Sequence, residues 1–142
     1  MVITFFGHAQ IVKSSEIKKA LMEILEKQVG DNTAEMLLGG YGDFDELAYT
    51  CCKEYKQTHP NVSLLYVTPY LTNASPSVKY DAIIYPEIED KPLKFAITYR
   101  NRWMVDRADA VIAFVNRKQG GAYKTFAYAK RKGKTVINLG IL

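Results

Sequence analysis

Leu37-Leu38-Gly39-Gly40-Tyr41-Gly42-Asp43-Phe44-Asp45-Glu46 decides how the rest of this 142-residue chain is read. The apolar run Ala34 to Leu38 stops at glycines, and a helical pattern with three carboxylates in its first turn follows. A strand that breaks into a glycine turn and then a helix brings bare backbone against a ligand. Glycine has no Cβ to block the approach, and the start of a helix presents unpaired N–H groups.

Upstream, Val2 to Phe6 is a short β-rich run ending at Gly7-His8. Ser14 or Ser15 is placed to cap a helix whose apolar positions are Ile17, Ala20, Leu21, Ile24 and Leu25, with Gly30 as its stop. In the helix after the glycine turn, Phe44, Leu47, Ala48, Cys51 and Tyr55 form the inward stripe. Pro60-Asn61 closes that unit, and Val62 to Thr68 is a third strand.

Residues 69–92 break the rhythm. Prolines at 69, 76, 86 and 92 exclude a regular helix, and only Ala82-Ile83-Ile84-Tyr85 is able to pair briefly as a strand. Loops this long inside compact domains usually line or cover a site. Leu93 to Arg107 is then helical and Ala110 to Val115 is the fourth strand of the core. Gly120-Gly121 opens a last helix with Ala122, Phe126 and Ala129 inward, Gly133 stops it, and Thr135 to Leu139 is the fifth strand.

Strands alternating with helices predict one α/β domain over residues 1–142, a Rossmann-like three-layer sandwich with a mostly parallel sheet of about five strands. Right-handed crossovers with a reversal after the third strand give the order 3-2-1-4-5. Ligands in such sheets sit beyond the carboxyl ends of the strands at the switch point. The turns at Gly7-His8, Gly39 to Asp43 and Asn116 to Gly121 converge there.

The composition is ordinary for a globular chain, 48% hydrophobic and 24% charged, with a net charge of +4. No apolar run approaches the ~20 residues a membrane helix needs, and the first residues lack an export signal, so a cytoplasmic protein without a membrane partner is expected. Adjacent Cys51 and Cys52 point about 100° apart on a helix, so they do not suit a disulfide. No metal-ligand pattern is present, and neither a metal nor a cofactor is expected. The densest basic cluster, Lys130-Arg131-Lys132-Gly133-Lys134, lies at a helix end where cations suit the dipole. Nucleic acid is therefore not the expected partner.

Arg100 falls in the middle of the apolar face formed by Leu93, Ala96, Ile97, Trp103 and Met104. A guanidinium cannot shed its charge, so a buried one needs a carboxylate, here Asp45 or Glu46, or a ligand anion. Arg102, four residues before Asp106, reads as a solvated ion pair. Asp43-x-x-Glu46 has capping-box spacing. The same acids also suit ribose hydroxyls or general acid/base work on a sugar, Glu46 narrowly ahead of Asp45. Gly120-Gly121, with no acid after it and Lys124 nearby, is the better phosphate cradle, although a tight turn explains it equally. His8 is able to hydrogen-bond a ligand from the end of the first strand. Trp103 is either core or a ring that stacks on a base.

Leu38-Gly39-Gly40-Tyr41-Gly42-Asp43-Phe44-Asp45-Glu46 resembles the Pro-Gly-Gly-x-Gly-Thr-x-x-Glu motif of the Lonely Guy phosphoribohydrolases. Arg100-Asn101-Arg102-Trp103-Met104 looks like their Arg-Lys-x-x-Met segment. The chain is similar to the wider SLOG superfamily and its YpsA-like members at Phe6-Gly7-His8, Gly42-x-Phe44-Asp45, Pro86-Glu87, Arg100-Asn101-x-Trp103-Met104, Gly120-Gly121-Ala122 and Gly133 to Leu139. The resemblance implies a nucleotide or nucleotide-derived small-molecule ligand. The implied ligand-binding residues are Gly7, His8, Gly39, Gly40, Gly42, Asp43, Asp45, Arg100, Asn101, Trp103, Gly120 and Gly121. If the chain is an enzyme, Glu46 and Arg100 are catalytic, releasing a base from a nucleoside 5′-monophosphate. DprA-like single-stranded nucleic-acid binding ranks third, and pairing into homo-oligomers is compatible with the family. Leu38, Asp43 and Asn101 stand where the enzymes carry proline, threonine and lysine. An ionised Asp43 repels phosphate and the missing lysine removes a cation, which points away from a 5′-phosphate held at that turn.

Overall fold

The computed structural model describes residues 1–71 and 79–141. In chain order its elements are β1 (Val2–Gly7), α1 (Ser14–Val29), β2 (Ala34–Leu38), α2 (Asp43–Thr58), β3 (Val62–Val67), β4 (Ala82–Ile84), α3 (Ala96–Arg107), β5 (Ala110–Phe114), α4 (Gly121–Arg131) and β6 (Thr135–Asn138). The strands form one sheet in the order β4-β3-β2-β1-β5-β6, and every neighbouring pair is parallel. The five expected strands occupy the expected order. The brief pairing read at Ala82-Ile83-Ile84-Tyr85 becomes a sixth strand, Ala82–Ile84, on the outer edge of β3. Pro76, one of the four prolines of the 69–92 stretch, lies outside the described residues.

The two-residue alternation of the strands divides the core between the faces of the sheet. Ile3, Phe5, Met36, Leu38, Leu64, Ile112 and Phe114 point to one side, where Ile17, Leu21 and Leu25 of α1 and Phe44, Ala48 and Cys52 of α2 cover them. Phe6, Val111, Ala113 and Val115 pack with Val105 and Ala129 on the other side, and Leu37, Leu65 and Val67 with Met104. The middle layer is therefore apolar on both faces, as a parallel sheet requires. All five residues of β5 are buried.

Three local expectations are corrected. Ser14 and Ser15 do not cap α1: the N-cap position is Lys13, in a left-handed conformation (φ 59°) and without a side-chain cap. The preceding loop is held from α2 instead, where the Asp43 N–H donates to the Ala9 carbonyl at 2.8 Å and Asp43 Oδ2 accepts from the Ile11 N–H at 3.1 Å. Asp43 and Glu46 consequently form no capping box. Gly42 takes the N-cap position with φ 89°, which shifts Asp43 into the helix. Leu93, read as part of the inward face, belongs to a short 3₁₀ turn (Leu93–Phe95) and is 76% exposed, since α3 proper begins only at Ala96.

Candidate functional site

The end of β1, the turns that follow β2 and β5, and α3 surround a cavity of about 300 Å³. Its floor is Phe5 and Phe6, and its polar lining includes His8, Asp45, Arg100 and Asn101.

Arg100 is the central group. One turn of α3 separates Ala96 from Arg100 and another separates Arg100 from Met104, and all three are buried against the sheet. Its Nη1 donates to the Val67 carbonyl at 2.7 Å and to the Gly39 carbonyl at 3.1 Å, and its Nε donates to Asn101 Oδ1 at 2.8 Å. The guanidinium thereby ties α3 to the ends of β2 and β3. Nη2 donates to no acceptor among the described residues. No described side-chain polar atom is both buried and unsatisfied, so Nη2 retains some exposure, on a residue that lines the cavity. Burial lowers the Arg100 pKa, and the Asp45 charge opposes that effect.

Asp45 lines the same cavity, 9% exposed. It makes no ion pair with Arg100, so the carboxylate bridge considered for the buried arginine does not form. Its Oδ2 accepts the Tyr41 N–H at 2.9 Å across the glycine turn. Burial pushes its pKa up to about 7, against the opposing pull of that hydrogen bond and of Arg100. The site therefore contains a permanent cation beside a carboxyl that changes charge near neutrality.

His8, 3% exposed, accepts the Asn116 N–H on Nε2 at 3.1 Å. Neutral imidazole then carries its proton on Nδ1. Burial, with Arg117 nearby, lowers the His8 pKa and keeps this neutral form. Across the cavity, Gly120 and Gly121 open α4, and a Cβ built on either would meet nothing within 4 Å. Backbone N–H groups at the α4 start are thus open to an incoming group, with no acid in that first turn.

Of the residues singled out from sequence, Gly7, His8, Asp45, Arg100, Asn101, Gly120 and Gly121 line the cavity together. The others do not. Gly39 and Gly40 pack under Arg100 and Tyr66 respectively, and Gly42 is pressed against Ala9, where a Cβ would lie 2.6 Å from Cα. Asp43 is committed to Ile11. Glu46 points outward, 60% exposed, with Lys79 at 3.9 Å. Trp103 packs beside Leu37, Leu65, Val67 and Met104 under the Arg107 guanidinium, 3.8 Å from its ring centre. Lys124 lines a neighbouring groove instead. Arg102 forms no ion pair with Asp106, whose Oδ1 accepts the Tyr128 hydroxyl at 2.7 Å. Sequence reasoning passed over Tyr41 and Arg117 and read Ile97 only as part of the inward apolar face, where it is instead 42% exposed; all three line the cavity. A basic residue three positions before Gly120 in a strand-to-helix turn was the available sign for Arg117.

A larger hollow of about 480 Å³ lies on the α1 side of the sheet, lined by Val12, Ile17, Phe114, Leu139 and Ile141 among others. It contains no buried ionisable group, so the chemistry concentrates in the smaller cavity. Among the described residues no three His, Cys, Asp or Glu side chains gather as a metal site, and no helix is long and apolar enough to cross a membrane.

These features define a Rossmann-like α/β sandwich with a polar cavity at its topological switch point. No protein-family profile matches the chain. It is similar to the uncharacterised SPbeta prophage-derived protein YoqJ of Bacillus subtilis, 24% identical, with 82% of this chain and 81% of YoqJ covered. Among solved structures it is similar to TM1055 (TM-score 0.62, 17% identity, 95% of this chain and 71% of that one). It is also similar to DprA of Helicobacter pylori (TM-score 0.64, 18% identity, 97% and 64%) and of Streptococcus pneumoniae (TM-score 0.65, 18%, 96% and 49%). The chain thus spans about half to two thirds of the two DprA chains. At these identities the likeness shows the fold. The H. pylori protein is described for its single-stranded DNA binding. The expectation that nucleic acid is not a partner gains no support from such a neighbour.

Proposed function

We propose that this chain binds a nucleotide or nucleotide-derived anion in the 300 Å³ cavity. Arg100 would offer Nη2 to a phosphate or carboxylate oxygen, and the α4 backbone at Gly120-Gly121 would approach a phosphate. Asp45 and Asn101 would receive ribose hydroxyls, and the His8 Nδ1–H is a further donor. The observation that carries this reading is the state of Arg100: a buried, cavity-lining guanidinium anchored by two main-chain carbonyls, with no carboxylate partner among the described residues and with Nη2 donating to no described acceptor. A charge desolvated to this degree favours an anion over water.

Hydrolysis of an N-glycosidic bond through Glu46 draws less support, because that side chain faces Lys79 outside the cavity lining. The test is a thermal-shift screen of nucleoside mono-, di- and triphosphates and ADP-ribose-like compounds. A true ligand at 100 times its dissociation constant adds about 2.7 kcal/mol of stability. The expected result is a shift with at least one phosphorylated nucleoside that disappears in Arg100→Gln. Absence of any shift across the series, or one unchanged by Arg100→Gln, overturns the reading.

A further inference from the structure

The outer face of α3 and α4 carries a dense basic-aromatic array. The Arg102 guanidinium lies over Tyr99 and over Tyr128, 5.6 and 5.0 Å from the ring centres. Arg131 and Lys132 also stand over Tyr128, at 5.9 and 5.6 Å. None of these cations, nor Arg107 or Lys124, forms an ion pair with a carboxylate among the described residues. Asp106, the acid of this face, is occupied by the Tyr128 hydroxyl.

Helix-dipole complementarity accounts for Arg131 and Lys132 at the end of α4. It does not account for Lys124, which sits in the first turn where a cation is disfavoured, nor for Arg102 in mid-helix. Three cations crowd one tyrosine ring, and the Asp106 carboxylate bonded to the Tyr128 hydroxyl offsets only one of their charges, so the cluster stays net positive. An arginine face covered by an aromatic ring still leaves its N–H edge for a phosphate. Between the helices runs a groove of about 250 Å³, lined by Arg102, Lys124, Arg131, Tyr123 and Tyr128 among others.

We infer that this groove binds single-stranded nucleic acid, phosphates on Arg102, Lys124 and Arg131 and bases against the half-buried Tyr123 and Tyr128. Concave grooves with alternating cations and rings suit a single strand. Duplex is disfavoured because both helices lie flat on the sheet and neither projects as a major-groove reader. A second copy of this chain is disfavoured by like charge, and a membrane surface by the concavity. The inference does not depend on the ligand of the Arg100 cavity.

The test is fluorescence anisotropy with a labelled oligo-dT of about 12 nucleotides, within the span of single-strand grooves. Three phosphate contacts predict a log K against log salt slope of about −2, at roughly −0.7 per contact. Arg102→Gln with Arg131→Gln is expected to bring the slope to about −0.7 and weaken binding at least tenfold. Lys124→Gln, at an exposed position, lowers the slope by about 0.7 and serves if the double variant melts early. Lys124 lines the groove and not the cavity, so Lys124→Gln is expected to leave nucleotide-induced stabilisation of the cavity unchanged, which separates this face from the cavity. Absent binding at low salt, equal affinity in the variants, or equal or tighter binding of duplex, inorganic polyphosphate or phosphatidylserine vesicles overturns the inference.

Discussion

Arg100 and Gly39 are packed so closely that a Cβ at position 39 would stand 3.2 Å from the guanidinium carbon. The same arginine donates to the Gly39 carbonyl at 3.1 Å. The glycine of the β2–α2 turn therefore makes room for the guanidinium as well as accepting from it. Gly39→Ala is expected to displace a side chain that three hydrogen-bond partners hold in place, since overpacking a filled site costs about 1–3 kcal/mol. Chemical denaturation measures the loss. An unchanged midpoint would mean that Arg100 is free to swing aside.

Arg100→Ala removes the tie between α3 and the ends of β2 and β3. The desolvation cost of a buried charge disappears with it, so the net destabilisation is about 1–3 kcal/mol rather than the sum of three charged hydrogen bonds. Arg100→Lys retains the charge without the fork, and weaker ligand binding with a near-normal fold is expected. Denaturation and the nucleotide screen, run on both variants, separate the two contributions.

Asp45 sets a pH dependence with a definite sign. Its folded-state pKa is raised from 3.8 to about 7, so the folded protein holds this proton more tightly than the unfolded chain. Stability from this group is greatest at low pH, declines as pH rises through the window from about 4 to about 7, and is flat above it. The decline is bounded by roughly 1.4 kcal/mol per pH unit. Asp45→Asn keeps an acceptor for the Tyr41 N–H and is expected to flatten the profile, with its largest stabilisation above pH 7. An anionic ligand beside Asp45 also binds more tightly as pH falls through 7. A pyrophosphate diester is the suitable probe, because its own charge is constant there. Melting temperatures from pH 5 to 8.5 check both statements.

Gly121→Ala separates a structural glycine from one kept open for a ligand. A Cβ there meets nothing, and alanine is the better helix former, so stability should hold or rise slightly. Phosphate approach to the α4 backbone should still suffer, and a ligand-induced shift reduced in this variant is the expected result. Full retention of the shift removes Gly120-Gly121 from the site.

Glu46→Gln tests the hydrolytic alternative. The side chain is exposed and pairs loosely with Lys79, so nucleotide-induced stabilisation should be unchanged. Chromatography of nucleoside monophosphates incubated with the wild-type chain would reveal free base if a reaction occurs. Release that vanishes in Glu46→Gln would assign catalysis to this carboxylate.

The strand order and the convergence of three turns were readable from the chain alone, because period-two and period-3.6 apolar patterns constrain which face each element buries. The inward position of Arg100 was readable for the same reason, from Ala96 and Met104 one turn away on either side. Tertiary structure decided which acid of the 43–46 turn enters the cavity. Positive φ at Gly42 shifts the helix start by one residue, sending Asp45 inward, Asp43 to the Ile11 backbone and Glu46 to solvent. That rotation depends on Ala9 lying against Gly42, a contact between segments more than thirty residues apart, and no local pattern encodes it. The joining of α3 and α4 into one cationic face was equally hidden, since their charges are scattered in sequence and meet only when both helices pack on the same side of the sheet.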